Sequence, residues 1–97
     1  FEEGTTVTKY PIKLLWLHLG QQETKAGFAV AKRNFRSAVT RNKIKRLMRE
    51  AYRLQKQEIQ GKEKKPFTLL FVYIGKEMAG FKTIDSSLLA TLKELPR

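Results

Sequence analysis

Apolar residues gather into five blocks along the chain, and the period within each block sets the element it predicts. Tyr10 to Leu19 (Y-P-I-K-L-L-W-L-H-L) is dense in aliphatic and aromatic side chains and predicts a strand. Pro11 suits an edge position or a strand entrance there, because proline has no N–H to give a ladder. Gly20 to Thr24 reads as a turn. Lys25 to Lys32 predicts a second strand, in which Phe28 and Val30 alternate with Gly27, Ala29 and Ala31, leaving one face bulky and the other nearly bare. The period then lengthens to that of a helix, starting at Ser37 or Thr40 as N-cap, running to about Ile59, and closed by Gln60-Gly61-Lys62. Phe67 to Ile74 is a nearly continuous apolar run, the pattern of a strand central in a sheet or buried on both sides. Lys76 to Lys82 reads as a loop. A last helix, from about Ile84 to Leu95, places Ile84, Leu88, Leu92 and Leu95 on one stripe. A short extra strand near Thr5 to Thr8 fits ahead of them.

The order strand, strand, helix, strand, helix predicts an α/β sandwich in which helices cover one sheet and the long helix is a crossover. Residues 1–97 form a single domain, near the lower end of what buries a self-sufficient core. The chain has no cysteine, which removes disulfides, thiol catalysis and cysteine–zinc sites, fits a reducing compartment and makes the cytoplasm the expected location. No apolar run approaches the roughly 18–20 residues of a membrane span. Phe1 stands where an initiator methionine would, so a piece of a longer protein is expected.

Charge then changes the picture. From Lys25 to Lys65 there are 14 basic residues against three acids, whereas the other 56 residues carry six of each. Such a localised excess is the footprint of a polyanion partner. On the long helix, Leu47, Leu54, Ile44, Ala51 and Met48 share an arc of roughly 120° that must pack on the sheet. Arg41, Lys45, Lys56, Arg49, Arg53 and Arg46 share about 140° opposite it, with Tyr52 at the seam. A solvated helix mixes charge signs at i, i+4, but this arc holds no acid and repels itself unless a partner neutralises it. Four of its six cations are arginines, whose planar forks match phosphate. Lys32, Arg33 and Arg36 carry the patch beyond one groove-inserting helix, which favours a shaped RNA surface over a single-helix DNA reader.

The run Ala38-Val39-x-Arg41-Asn42-x-Ile44-Lys45-Arg46-Leu47-x-Arg49-x-Ala51-Tyr52, preceded by Lys32-Arg33, resembles the arginine–asparagine–arginine motif of the bacterial ribonuclease P protein subunit. Phe1-x-x-Gly4 resembles the end of that family's first helix. The resemblance implies a mostly antiparallel sheet with helices packed on it and a left-handed βαβ crossover, where the general rule would give the right-handed form. It implies a subunit that binds a catalytic RNA as a monomer in a 1:1 ribonucleoprotein, which removes the 5′ leader of precursor tRNA with Mg2+ held mainly by RNA. Lys32, Arg33, Arg41, Asn42, Lys45, Arg46 and Arg49 would touch the catalytic RNA, and Arg36, Lys43 and Arg53 extend that surface. Arg41, Asn42 and Lys45 would lie near enough to a cleft to meet the leader. Lys43 departs from the motif: it keeps the charge and loses the bidentate fork of arginine. Phe1, Trp16 and Tyr52 are the candidate cleft aromatics, with Ala29 and Ala31 leaving room for a backbone, since aromatic stacking beside a basic groove holds single strands without sequence choice. A core role for Trp16 and Tyr52 stands beside that reading, and Phe28, Phe67 and Phe71 read as core.

Side-chain catalysis is not expected. The nine acids are scattered, no metal-ligand spacing or phosphate-binding glycine loop occurs, and His18 is the sole histidine, on an apolar strand. The competing readings are a structural rRNA-binding protein, which would need no aromatic cleft, and a DNA-binding helix, which would need base-edge side chains. A membrane-surface helix is weaker, because the sheet needs its apolar face.

Overall fold

The computed structural model of the chain describes residues 5–18, 22–56 and 66–95. Phe1 and the expected helix closure at Gln60–Lys62 lie outside them. The elements run β1 (Thr5–Lys9), β2 (Ile12–Leu17), β3 (Lys25–Val30), α1 (Ala38–Gln55), β4 (Thr68–Tyr73) and α2 (Phe81–Lys93). They form a four-stranded sheet in the order β1-β2-β4-β3. β1 pairs antiparallel with β2, and β2 with β4, while β3 runs parallel to β4, so α1 is the crossover of a βαβ unit.

Register fixes the two faces of the sheet, because side chains directly opposite across a ladder share a face. Ile12 opposes Tyr73, which opposes Val30; Leu14 opposes Phe71, which opposes Phe28; Trp16 opposes Leu69, which opposes Ala26. This face receives both helices: Ile44, Met48 and Ala51 from α1 join Ile84, Leu88 and Leu92 from α2 in one core with Ile12, Leu14, Leu69, Phe71 and Tyr73. Each aliphatic side chain buried this way contributes about 1.5–3 kcal/mol. Among the described residues, the opposite face, with Leu15, Leu17, Leu70, Val72, Gly27 and Ala29, is half-buried and carries no helix.

Three expectations shift. The Tyr10–Leu19 strand is interior rather than an edge, because the short β1 covers its outer side; Pro11 sits at its entrance, after a cis Tyr10–Pro11 peptide bond. The second helix begins at Phe81, three residues before Ile84, because Gly80 serves as N-cap and Phe81 packs against the core. Leu54, expected on the packing arc of α1, is 50% exposed. The buried face centres on Ile44, Met48 and Ala51, and Leu54 projects roughly 80° from Ile44 around the helix.

At the C-terminal end of β4 the chain passes close to the β1–β2 turn. Ile74 N–H donates to the Pro11 carbonyl at 2.8 Å. A Cβ on Gly75 would lie 3.0 Å from both the Pro11 side chain and the Tyr73 ring, so glycine is what lets these segments meet.

Candidate nucleic-acid interface

The polar residues between β3 and α1 are held in place by Ser37, Asn34 and Arg41, of which Arg41 is also a residue expected to contact RNA. Ser37 caps α1, accepting from the Thr40 N–H at 3.3 Å. Arg41 reaches back from the first turn and donates through Nη1 to the carbonyls of Phe35 (2.7 Å) and Arg36 (3.0 Å). Asn34 donates from Nδ2 to the carbonyls of Ile74 and Gly75, both at 3.4 Å. The loop is thus fastened to α1 on one side and to the end of β4 on the other. Its cations Lys32, Arg33 and Arg36 all point into solvent. Arg41 spends part of its guanidinium on this latch and is half-buried, so its role is partly architectural.

Asn42, Lys43, Arg46, Arg49 and Arg53 are exposed along α1, and Lys45 is half-buried, between Tyr52 and Arg49 in projection down the helix. Among the described residues the only ion pair is Arg53 with Glu50, one turn apart near the end of α1. That pair raises the Arg53 pKa and lowers that of Glu50, in both cases chiefly through their hydrogen bond. Glu50 therefore serves Arg53, and among the described residues Lys43, Lys45, Arg46 and Arg49 of α1 have no acidic partner.

Where α1 crosses β3, aromatic rings meet this charge. Arg49 places its guanidinium carbon 5.9 Å from the centre of the Phe28 ring. Phe28 stands edge-to-face with Tyr52 (6.0 Å) and stacks on Phe71 (5.5 Å). Phe71 is fully buried as expected, but Phe28 and Tyr52 are only half-buried, because β3 is an edge strand and has no neighbour beyond it. Phe28 is the residue that sequence reasoning left in the core. Trp16 lies on the same, helix-bearing face but two strands away, edge-to-face with Phe67 (5.5 Å), and its buried Nε1 has no hydrogen-bond partner among the described residues. Ala29 lies on the opposite face, and Ala31 continues its alternation, so the bare face and the aromatics do not line one cleft.

Comparison with known proteins decides what this surface belongs to. Residues 1–96 match the family model for ribonuclease P. The chain belongs to the ribonuclease P protein family. It is 34% identical to the ribonuclease P protein component of Porphyromonas gingivalis, over 95% of this chain and 72% of that protein. The component from Caldanaerobacter subterraneus is 32% identical over 99% of this chain and 79% of that protein. Among solved structures, the RNase P protein of Thermotoga maritima superposes with a TM-score of 0.82 at 27% identity, covering 99% of this chain and 87% of that one. The Staphylococcus aureus protein gives 0.76 at 25% identity, covering 95% and 81%.

As a ribonuclease P protein, the chain is a subunit of a ribonucleoprotein endoribonuclease that acts in tRNA 5′ processing and has an RNA partner. Among the described residues no three His, Cys, Asp or Glu side chains come together as metal ligands. His18 is exposed, with Nδ1 2.8 Å from the Pro66 carbonyl; a carbonyl only accepts, so Nδ1 carries the proton and donates. No described helix is long and apolar enough to cross a membrane.

Proposed function

We propose that this ribonuclease P protein binds its catalytic RNA through the exposed cations of the β3–α1 loop and the outer face of α1. Lys32, Arg33, Arg36, Asn42, Lys43, Arg46 and Arg49 form this surface, with Arg53 at its end. The observation that carries the reading is that, among the described residues, none of these cations except Arg53 has an acidic partner. A row of unpaired arginines on a folded helix gains its stabilisation from phosphates, and each contact releases condensed counterions. Lys43 acts there as a point charge. The single-stranded 5′ leader of precursor tRNA lies along the α1–β3 seam, its bases on Phe28 and Tyr52 and its phosphates toward Lys45 and Arg49. Trp16 offers a further stacking surface on the same side of the sheet, across from Thr5 at the start of β1. Ala29 and Ala31 take no part in this arrangement.

Chemistry at the scissile phosphodiester is left to the RNA, where bound Mg2+ would activate water and neutralise developing charge. The protein works as one copy per RNA in the cytoplasm. The test is cleavage of precursor tRNA at low magnesium by a bacterial ribonuclease P RNA, with and without this chain. Leader removal stimulated only when RNA and protein are combined is the expected result. Tight, salt-dependent RNA binding without stimulation would instead mean a purely structural RNA-binding role.

A further inference from the structure

The end of the sheet that carries the basic loop also carries a cavity that the functions above do not use. It measures about 420 Å3 and lies between the β1–β2 turn and the segment joining β4 to α2. That size falls within the ~300–1,000 Å3 range of small-ligand pockets. Tyr10, Pro11, Tyr73 and Met78 supply its apolar walls, and Lys76 and Glu77 its charges. Its walls are built rather than incidental. The Tyr73 hydroxyl donates to the Glu77 carbonyl at 2.6 Å and accepts from the Ala79 N–H at 2.9 Å, fixing the segment that bears Met78. The Tyr10 carbonyl accepts from the Ser87 hydroxyl at 3.0 Å, fixing the opposite wall.

Two features say what the cavity takes. Tyr10 is 69% exposed and Met78 41% exposed, so two of the four large apolar side chains that the described chain leaves in solvent face one groove. The cationic loop is fastened beside this groove, since Asn34 is bonded to Ile74 and Gly75, just before Lys76, and Phe35 packs 5.9 Å from the ring of Tyr73, which lines it. We infer that this groove is a second RNA-contact site, holding one unstacked base of the catalytic RNA between Tyr10 and Met78 with its phosphate toward Lys76. A base rather than a phosphate enters, because Glu77 repels an anion but accepts from the N–H groups on a base edge. The flat apolar wall suits any base, as single-strand readers use aromatic surfaces. This inference rests on the RNA-binding reading above, and its test separates the two.

The full chain is titrated with a bacterial ribonuclease P RNA over a range of salt concentrations. Tyr10→Ala and Met78→Ala are expected to lower affinity, Tyr10→Ala roughly tenfold, the scale of one lost base stack. The salt slope should stay unchanged in both, while Tyr10→Phe should bind like the parent chain. Lys76→Ala should reduce the slope by about one. If Tyr10→Ala and Met78→Ala bind as tightly as the parent while Arg49→Ala weakens binding, the groove is not a contact site and the helix surface stands. Equal loss in Tyr10→Phe and Tyr10→Ala would replace stacking by a hydroxyl contact and overturn the inference. No salt-dependent binding by the parent chain would overturn both readings.

Discussion

The two helices rest on the same sheet face, yet only one of them is charged beyond what packing requires. α1 buries Ile44, Met48 and Ala51 over 18 residues, with six basic side chains and one acid. α2 buries Ile84, Leu88, Thr91 and Leu92 over 13 residues, with two basic side chains and one acid. The core asks each helix for an apolar stripe and nothing more. The shorter helix meets that demand with more buried side chains and nearly balanced charge. The surplus on α1 therefore has no folding rationale, and its only acid is taken by Arg53. Even the tie between the helices is uncharged on the α1 side: Gln55 Nε2 donates to the Asp85 carboxylate at 3.1 Å.

The contrast can be broken by substitutions that should move stability without moving RNA recognition. Leu88→Ala removes a fully buried side chain from α2 and is expected to cost about 2–5 kcal/mol in denaturant unfolding. The salt slope of RNA binding by the protein that remains folded should not change. A changed slope would mean that α2 carries part of the interface.

A smaller loss is expected from Tyr73→Phe, which strands the Glu77 carbonyl and Ala79 N–H just before α2 and should cost about 1–3 kcal/mol. Burial holds the Tyr73 pKa above its usual value. The folded state thus keeps a proton that the unfolded state gives up first. Its stabilising contribution is complete below about pH 10 and is lost as pH rises through the raised value. Unfolding measured across that window should steepen in the parent chain relative to Tyr73→Phe.

The helix starts sharpen the same comparison. Ser37 caps α1, whereas Gly80 gives α2 no side-chain cap. Ser37→Ala should cost about 1 kcal/mol of thermal or denaturant stability. Gly80→Ser should add a few tenths of a kcal/mol, since its new Cβ meets no atom within 4 Å.

Much of this was legible in the chain because it is local. The β2, β3 and β4 strands are apolar runs, α1 announces itself by a change of period and a capping serine, and the charge surplus is composition. What depends on partners distant in sequence was not. Nothing along β3 says that it lies at an edge beside β4 in parallel, and that placement is what half-exposes Phe28 beneath Arg49. Strand pairing likewise decides that Trp16 and Ala29 stand on opposite faces. Arg41 looked like one more phosphate ligand, because its bonds to Phe35 and Arg36 depend on how the preceding loop folds back. The start of α2 was missed because Lys82 and Thr83 hide the helical period that Phe81 begins.

The most direct measurement of the central claim is the salt dependence of binding to a bacterial ribonuclease P RNA for the parent chain, Arg46→Ala, Arg49→Ala and the double variant. Each arginine is exposed, so folding stability should stay within about 0.5 kcal/mol. The slope of log K against log salt should fall by about one for each single variant and about two for the pair. Unchanged affinity and slope in all three would contradict the assignment of the α1 surface to RNA.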